Sequence, residues 1–226
     1  MSAEIAELPV FPLNTVLFPG MALPLHIFED RYVLMVNECL EGNRHFGVLL
    51  AQPAPDEEGA TEVHRIGTLA LITHVDRLDD GRMDIRTTGL ERFRVLRMLR
   101  SEPYIVAQIE EFPLEDTQSS RVAGLARQAN GLLVRYLRLL GEVLGTAIRI
   151  DSVPRDPSSL AHLIAIALQV ELDEKQELLS IPDLPGLLRR ETLILSREEV
   201  LLSQLREVQK SDACYLRGVT GYLSLS

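Results

Sequence analysis

The chain has 226 residues, 46% of them hydrophobic and 25% charged, a composition that excludes a disordered or fibrous protein and supplies enough apolar surface for a sizeable core. Its formal net charge is −10, and the imbalance is uneven: residues 1–115 carry 19 acidic against 10 basic side chains, and the remainder 14 against 13. An acidic first half disfavours phosphate backbones, so a nucleic-acid partner is not expected. No apolar run reaches the ~18 residues of a membrane span, and residues 1–7 hold no basic residue of the kind that opens a secretory signal. Cys39 and Cys214 are far apart, which suits a reducing cytoplasm.

In chain order, LPVFPLNTVLFPGMALPLHIF (8–28) has prolines at 9, 12, 19 and 24, a density that forbids a helix and predicts short extended pieces joined by turns. Asp30 reads as the N-cap of a helix whose Tyr32, Met35, Val36, Cys39 and Leu40 share one face, with Gly42 as its stop. His45–Ala51 and Gly67–Val75 read as strands, and Asp80-Gly81 as a hairpin turn into Met83–Thr88. Glu91–Met98 and Tyr104–Glu110 complete about six short strands, the signature of a small barrel or curled sheet. The polar segment Asp56-Glu57-Glu58 reads as a solvated acidic loop.

Phe112–Ser120 reads as a linker. Beyond it a helix is expected from Arg121 to Leu144, capped by Ser119 or Ser120 and ended by Gly145, its apolar stripe forming the core of a bundle. Asp156-Pro157 gives an N-cap with proline at the first helical position, and Asp173 starts a short helix. Ile181-Pro182-Asp183 precedes a long helix reaching Lys210, and the glycine-interrupted last fifteen residues carry no assignment. The expected fold is therefore α+β, with a small barrel or curled sheet at 1–115 and a helical bundle at 116–226.

Chemistry-bearing motifs are scarce. There is no GxxxxGK[ST] or GxSxG, and none of His26, His45, His64, His74 and His162 has metal-ligand spacing. The two lysines, Lys175 and Lys210, lie in the polar runs DEKQE and EVQKSD, where nothing is expected to depress a lysine pKa. Neither a catalytic residue, a metal nor a cofactor is expected.

Two constellations stand out. His26, Glu29, Asp30 and Arg31 crowd a strand-to-helix junction among Leu25, Phe28 and Tyr32, as a salt-bridged turn or as the polar rim of an apolar groove. Arg92, Arg94, Arg97 and Arg100 form a basic strip, read as a solvated sheet face that neutralises Glu91 and Glu102, with RNA contact as the alternative. A third reading, a small-molecule pocket around His26 or His74, has no support in the spacing.

The run LPVFPLNTVLFPGMALPLHIFEDRY, followed by MVNECL, FGVLL and GTLALITHVDRLDDGRMDIRTTGLERFRV, resembles the N-terminal substrate-binding domain of Lon proteases across residues 8–210. The resemblance implies a PUA-like β-barrel followed by a helical bundle, and a non-catalytic module that binds exposed apolar segments of unfolded or tagged proteins in the cytoplasm. A separate protease or chaperone would be the partner, with no membrane involved. On the motif, the residues expected to contact a peptide are Phe18, Pro19, His26, Phe28, Glu29, Arg31 and Tyr32.

Overall fold

In the computed structural model, residues 5–53, 61–148 and 152–222 are described, so the acidic loop at Asp56-Glu57-Glu58 lies outside the described residues. Seven strands form one sheet: β1 (Ile5–Leu13), β2 (Ala22–Ile27), β3 (His45–Pro53), β4 (Thr61–Val63), β5 (Ile66–Arg77), β6 (Met83–Arg100) and β7 (Ile105–Glu111). The order is β1-β7-β6-β5-β3-β4, and a further pairing of β1 with β3 brings the circuit back to its first strand. That last pairing is parallel and the others are antiparallel.

β1 is continuous despite Pro9 and Pro12, where the proline density predicted broken pieces. It changes partner along its length: Ile5–Val10 pair with β7, and Val10–Leu13 with β3. Pro9 is registered only with Val106 and Pro12 only with Leu49, so each missing N–H can face a side that needs no donor.

The two strands expected at 83–88 and 91–98 are one 18-residue strand, β6. Gly89, which lies between the two expected strands, marks a crossing. Its N–H donates to the Met21 carbonyl (2.9 Å), and its carbonyl accepts from Gly20 N–H (2.8 Å). A Cβ at this position would stand 2.2 Å from the Phe18 carbonyl oxygen, so only glycine admits the chain passing over it. Register shifts against β5 and β7 let this long strand bend.

Helix α1 (Asp30–Glu41) buries the expected stripe of Tyr32, Met35, Val36 and Cys39 against the sheet, with Phe11, Phe46, Ile72 and Ile85 among its partners. Its N-cap is Glu29, not Asp30, and no side chain caps it. Four further helices follow: α2 (Val122–Leu144), α3 (Pro157–Ala167), α4 (Leu172–Ser180) and α5 (Leu184–Tyr222). Asp156 caps α3 by accepting from Ser159 N–H at 2.8 Å, and Gly145 ends α2 with φ 66°. α2 starts after Arg121, with no side-chain cap from Ser119 or Ser120. α5 runs through Gly218 to Tyr222, well past Lys210. α2 and α5 lie side by side and run parallel, joined by Arg135 with Glu199 (3.0 Å) and Arg206 with Glu142 (3.0 Å), pairs whose numbers rise together along both helices.

The sheet and helices share a core: Val16, Phe18 and Leu50 pack into the cluster that holds Val122, Leu133, Leu160, Leu179 and Leu188. The seam is also polar. Glu115 and Asp183 form a parallel bridge, and Gln176 Nε2 donates to the Ile66 carbonyl at 3.0 Å.

Candidate functional site

The proline-rich β1, the β2–α1 junction and the β6–β7 turn converge on a groove of about 470 Å³. Phe11, Leu13 and Leu25 give it apolar walls, Tyr104 and Ile105 close one side, and His26, Phe28, Glu29, Arg31 and Tyr32 supply the other. Five of the seven residues expected to contact a peptide therefore line one groove.

Two do not. Phe18 is 1% exposed and belongs to the core between sheet and helices. Pro19 lines a different cavity, at the seam. Both follow from the chain crossing β6 at Gly89, which turns the Phe18 side chain inward.

The groove is held by pairwise contacts. The rings of Phe11 and Tyr32 stack with centroids 4.0 Å apart and planes 25° apart. Arg31 lies over the other part of this pair, 4.6 Å from the Tyr32 centroid, and its Nη2 is 2.7 Å from Glu29 Oε2. Burial raises the Tyr32 hydroxyl pKa above its ordinary value, with Arg31 partly opposing. His26 Nδ1 lies 2.7 Å from Asp84 Oδ1 on β6, and its ring is roughly parallel to that of Phe28, centroids 6.1 Å apart. Tyr104, buried, donates to Glu38 on α1.

Of the polar groups in the motif, Glu29 and Arg31 form an ion-paired turn and, with His26, line the groove, while Asp30 is in neither. Phe28 has no such engagement with the core; it is 63% exposed at the mouth, an unusual position for a large aromatic ring. Beside it, β2 pairs with β6, and among the described residues no strand pairs with its other edge. Pro24 on this strand is compatible with such an edge.

The basic strip is not a solvated face throughout. Arg92 is 4% exposed and Nη1 donates to the carbonyls of Leu179 and Ile181, both at 2.7 Å. Arg94 pairs with Glu110 at 2.9 Å, Arg97 Nε donates to Gln108, and Arg100 covers the Tyr104 ring. These side chains are engaged within the molecule, which leaves little of the strip for a phosphate backbone. Glu91 and Glu102 are not the partners that its sequence suggested.

Lys175 also departs from expectation. Its Nζ donates to the carbonyls of Ala165 (2.5 Å) and Ile166 (3.0 Å) at the end of α3, 5.7 Å from the Phe18 centroid. Burial lowers its pKa to about 8. The position is that of a helix C-terminal cation. His74 pairs with Asp76 at 2.9 Å on the exposed surface. Among the described residues there is no cluster of three or more metal-ligating side chains, and no helix is long and apolar enough to cross a membrane.

A second, larger depression of about 650 Å³ lies at the end of α2, lined by Leu133, Val134, Leu137 and Ile148. It has no counterpart in the motif at the N-terminus.

Residues 7–197 match the model of the ATP-dependent protease La (LON) substrate-binding domain. The chain belongs to the Lon substrate-binding domain family. Lon protease of Dictyoglomus thermophilum is 28% identical over 207 residues, covering 89% of this chain and 26% of that protein. Lon protease of Xanthomonas oryzae pv. oryzae is 31% identical over 189 residues, covering 80% of this chain and 22% of that protein. The chain thus spans about a quarter of the length of these curated relatives.

The Lon N-terminal fold is seen in two solved structures. The N-terminal domain of Mycobacterium avium complex Lon protease superposes with a TM-score of 0.62 at 22% identity, covering 84% of this chain and 98% of that one. A Lon N-terminal domain protein from Xanthomonas campestris gives 0.56 at 24% identity, covering 82% and 96%.

Proposed function

We propose that this chain is a non-catalytic recognition module that binds exposed apolar segments of unfolded or tagged proteins. The observation that carries the reading is the gathering of Phe28, Tyr32, His26, Glu29 and Arg31 around one groove of about 470 Å³ beside the edge of β2 that no described strand pairs. An extended peptide would add backbone hydrogen bonds along β2 and place alternate side chains on Phe28, Leu25 and Leu13. Glu29, Arg31 and His26 would orient the peptide amides at the rim.

In this reading residues 1–115 act as a PUA-like barrel that carries the groove, and 116–226 brace it. The module works in the cytoplasm without a cofactor or covalent step and passes its client to a separate protease or chaperone. The match to a substrate-binding domain family supports the recognition role.

Fluorescence anisotropy with a labelled, extended apolar peptide tests this. Phe28→Ser should weaken binding by about tenfold, the scale of an exposed aromatic anchor at a contact centre. Equal affinity for the native chain and the variant would sink the groove assignment.

A further inference from the structure

A separate cavity of about 340 Å³ opens at the seam between β6, the segment after β7 and α3. Its walls are apolar where they meet Pro19, Leu90, Phe112 and Leu114, and polar where Arg92, Ser158 and His162 approach. Arg92 is the unusual member. It is 4% exposed, yet no carboxylate among the described residues forms an ion pair with it. Its Nη1 is occupied by two main-chain carbonyls, and its Nη2 has no hydrogen-bond partner. The Nε2 of His162, on the same cavity, is also buried without a partner.

A buried guanidinium without a counter-charge is costly, and two carbonyl contacts neutralise none of its charge. Burial accordingly lowers the Arg92 pKa to about 10. The missing complement is a single negative group set beside the guanidinium from the cavity that Arg92 lines. Its surroundings limit what that group can be. Phe112 is flanked by Arg92 and Arg94, whose guanidiniums lie 4.7 and 4.4 Å from its ring centroid, so an apolar wall adjoins the positive charge. Glu91 and Glu111 stand exposed at the rim and repel polyanions. One negative charge attached to an apolar body fits all of these constraints.

We propose that this cavity binds a monocarboxylate with an apolar body, its carboxylate on Arg92 and its body against Leu90, Phe112 and Leu114. Two sources share that chemistry: a free aliphatic acid, or the C-terminal carboxylate of a polypeptide ending in an apolar residue. The site is independent of the groove at Phe28 and does not require that groove to bind peptides.

The test is titration of the full chain, followed by backbone amide chemical shifts, with four probes. These are 4-methylpentanoate, its amide, and acetyl-Ala-Ala-Leu with a free or an amidated C-terminus. The acids should shift Thr117, Ser158 and His162 and bind at least about tenfold more tightly than their amides, the scale of one charge-assisted hydrogen bond. A tighter peptide acid identifies a chain terminus as the ligand; binding of 4-methylpentanoate alone identifies a free acid. Arg92→Met should abolish the preference for acids. Because that change also removes a seam contact, Thr117→Tyr, which fills the mouth and spares Arg92, should block both acids as well. Phe28→Ser should leave this binding unchanged, so failure of the groove and failure of the cavity read out separately. Equal binding of acids and amides, no binding by any probe, or shifts confined to Phe28 and Tyr32 would overturn the proposal.

Discussion

The ring of Phe11 on β1 lies against the ring of Tyr32 on α1, centroids 4.0 Å apart. This stack joins the proline-rich strand to the first turn of the helix, and so sets the width of the groove between them. Tyr32→Ala should cost about 3 kcal/mol of stability, as removal of a buried aromatic ring does. Phe28→Ser, four residues earlier and 63% exposed, should stay within about 0.5 kcal/mol of the native chain. Urea unfolding of the two variants separates the ring that builds the groove from the ring it presents.

Gly89 should tolerate no side chain. A Cβ would lie 2.2 Å from the Phe18 carbonyl oxygen, which is main chain and cannot swing away. Gly89→Ala should destabilise the protein by about 1–3 kcal/mol, the usual range for overpacking, and thermal unfolding would show it.

Arg92 and Arg94 are neighbours with opposite expectations. Arg94→Ala removes an ion pair between half-exposed groups and should change stability by at most about 1 kcal/mol. Arg92→Ala leaves the carbonyls of Leu179 and Ile181 without their donor at the seam and should cost about 1–3 kcal/mol. Similar small losses for both would mean that Arg92 does not tie β6 to the helices.

Glu191 on α5 is fully buried, and among the described residues neither of its carboxylate oxygens has a hydrogen-bond partner. Desolvation raises its pKa well above the ordinary 4.5, so the folded protein holds a proton that the unfolded chain releases. Its contribution to stability is fully present below pH 4.5 and is lost as pH rises towards the folded value. Glu191→Gln removes this dependence, so its advantage over the native chain should grow from pH 5 to pH 8. A stability difference that stays constant across that range would show that Glu191 titrates normally.

Local signals in the sequence were legible where one element decides them. The stripe Tyr32, Met35, Val36 and Cys39 is buried as its spacing requires, Asp156 caps α3, and Gly145 closes α2 in the left-handed region. What failed depends on partners distant in sequence. Residues 83–88 and 91–98 read as two strands, but they are one strand that Phe18 crosses at Gly89, and Arg92 looks solvated until Leu179 and Ile181, nearly ninety positions later, arrive to accept from it. Lys175 sits in a polar run, yet its ammonium turns to the carbonyls at the end of α3. The candidate site followed the same division. Residues at the β2–α1 junction are contiguous and share the groove, whereas Phe18 and Pro19 lie at the crossing over Gly89 and face elsewhere.

The most direct test of the account is photo-crosslinking of the full chain to an extended apolar peptide carrying a photoreactive phenylalanine, with adducts located by mass spectrometry. Adducts are expected at Phe28, Tyr32 and the edge of β2 that faces away from β6. Adducts confined to the depression at Leu137 and Ile148 on the helical side, with none at the β2–α1 junction, would contradict it.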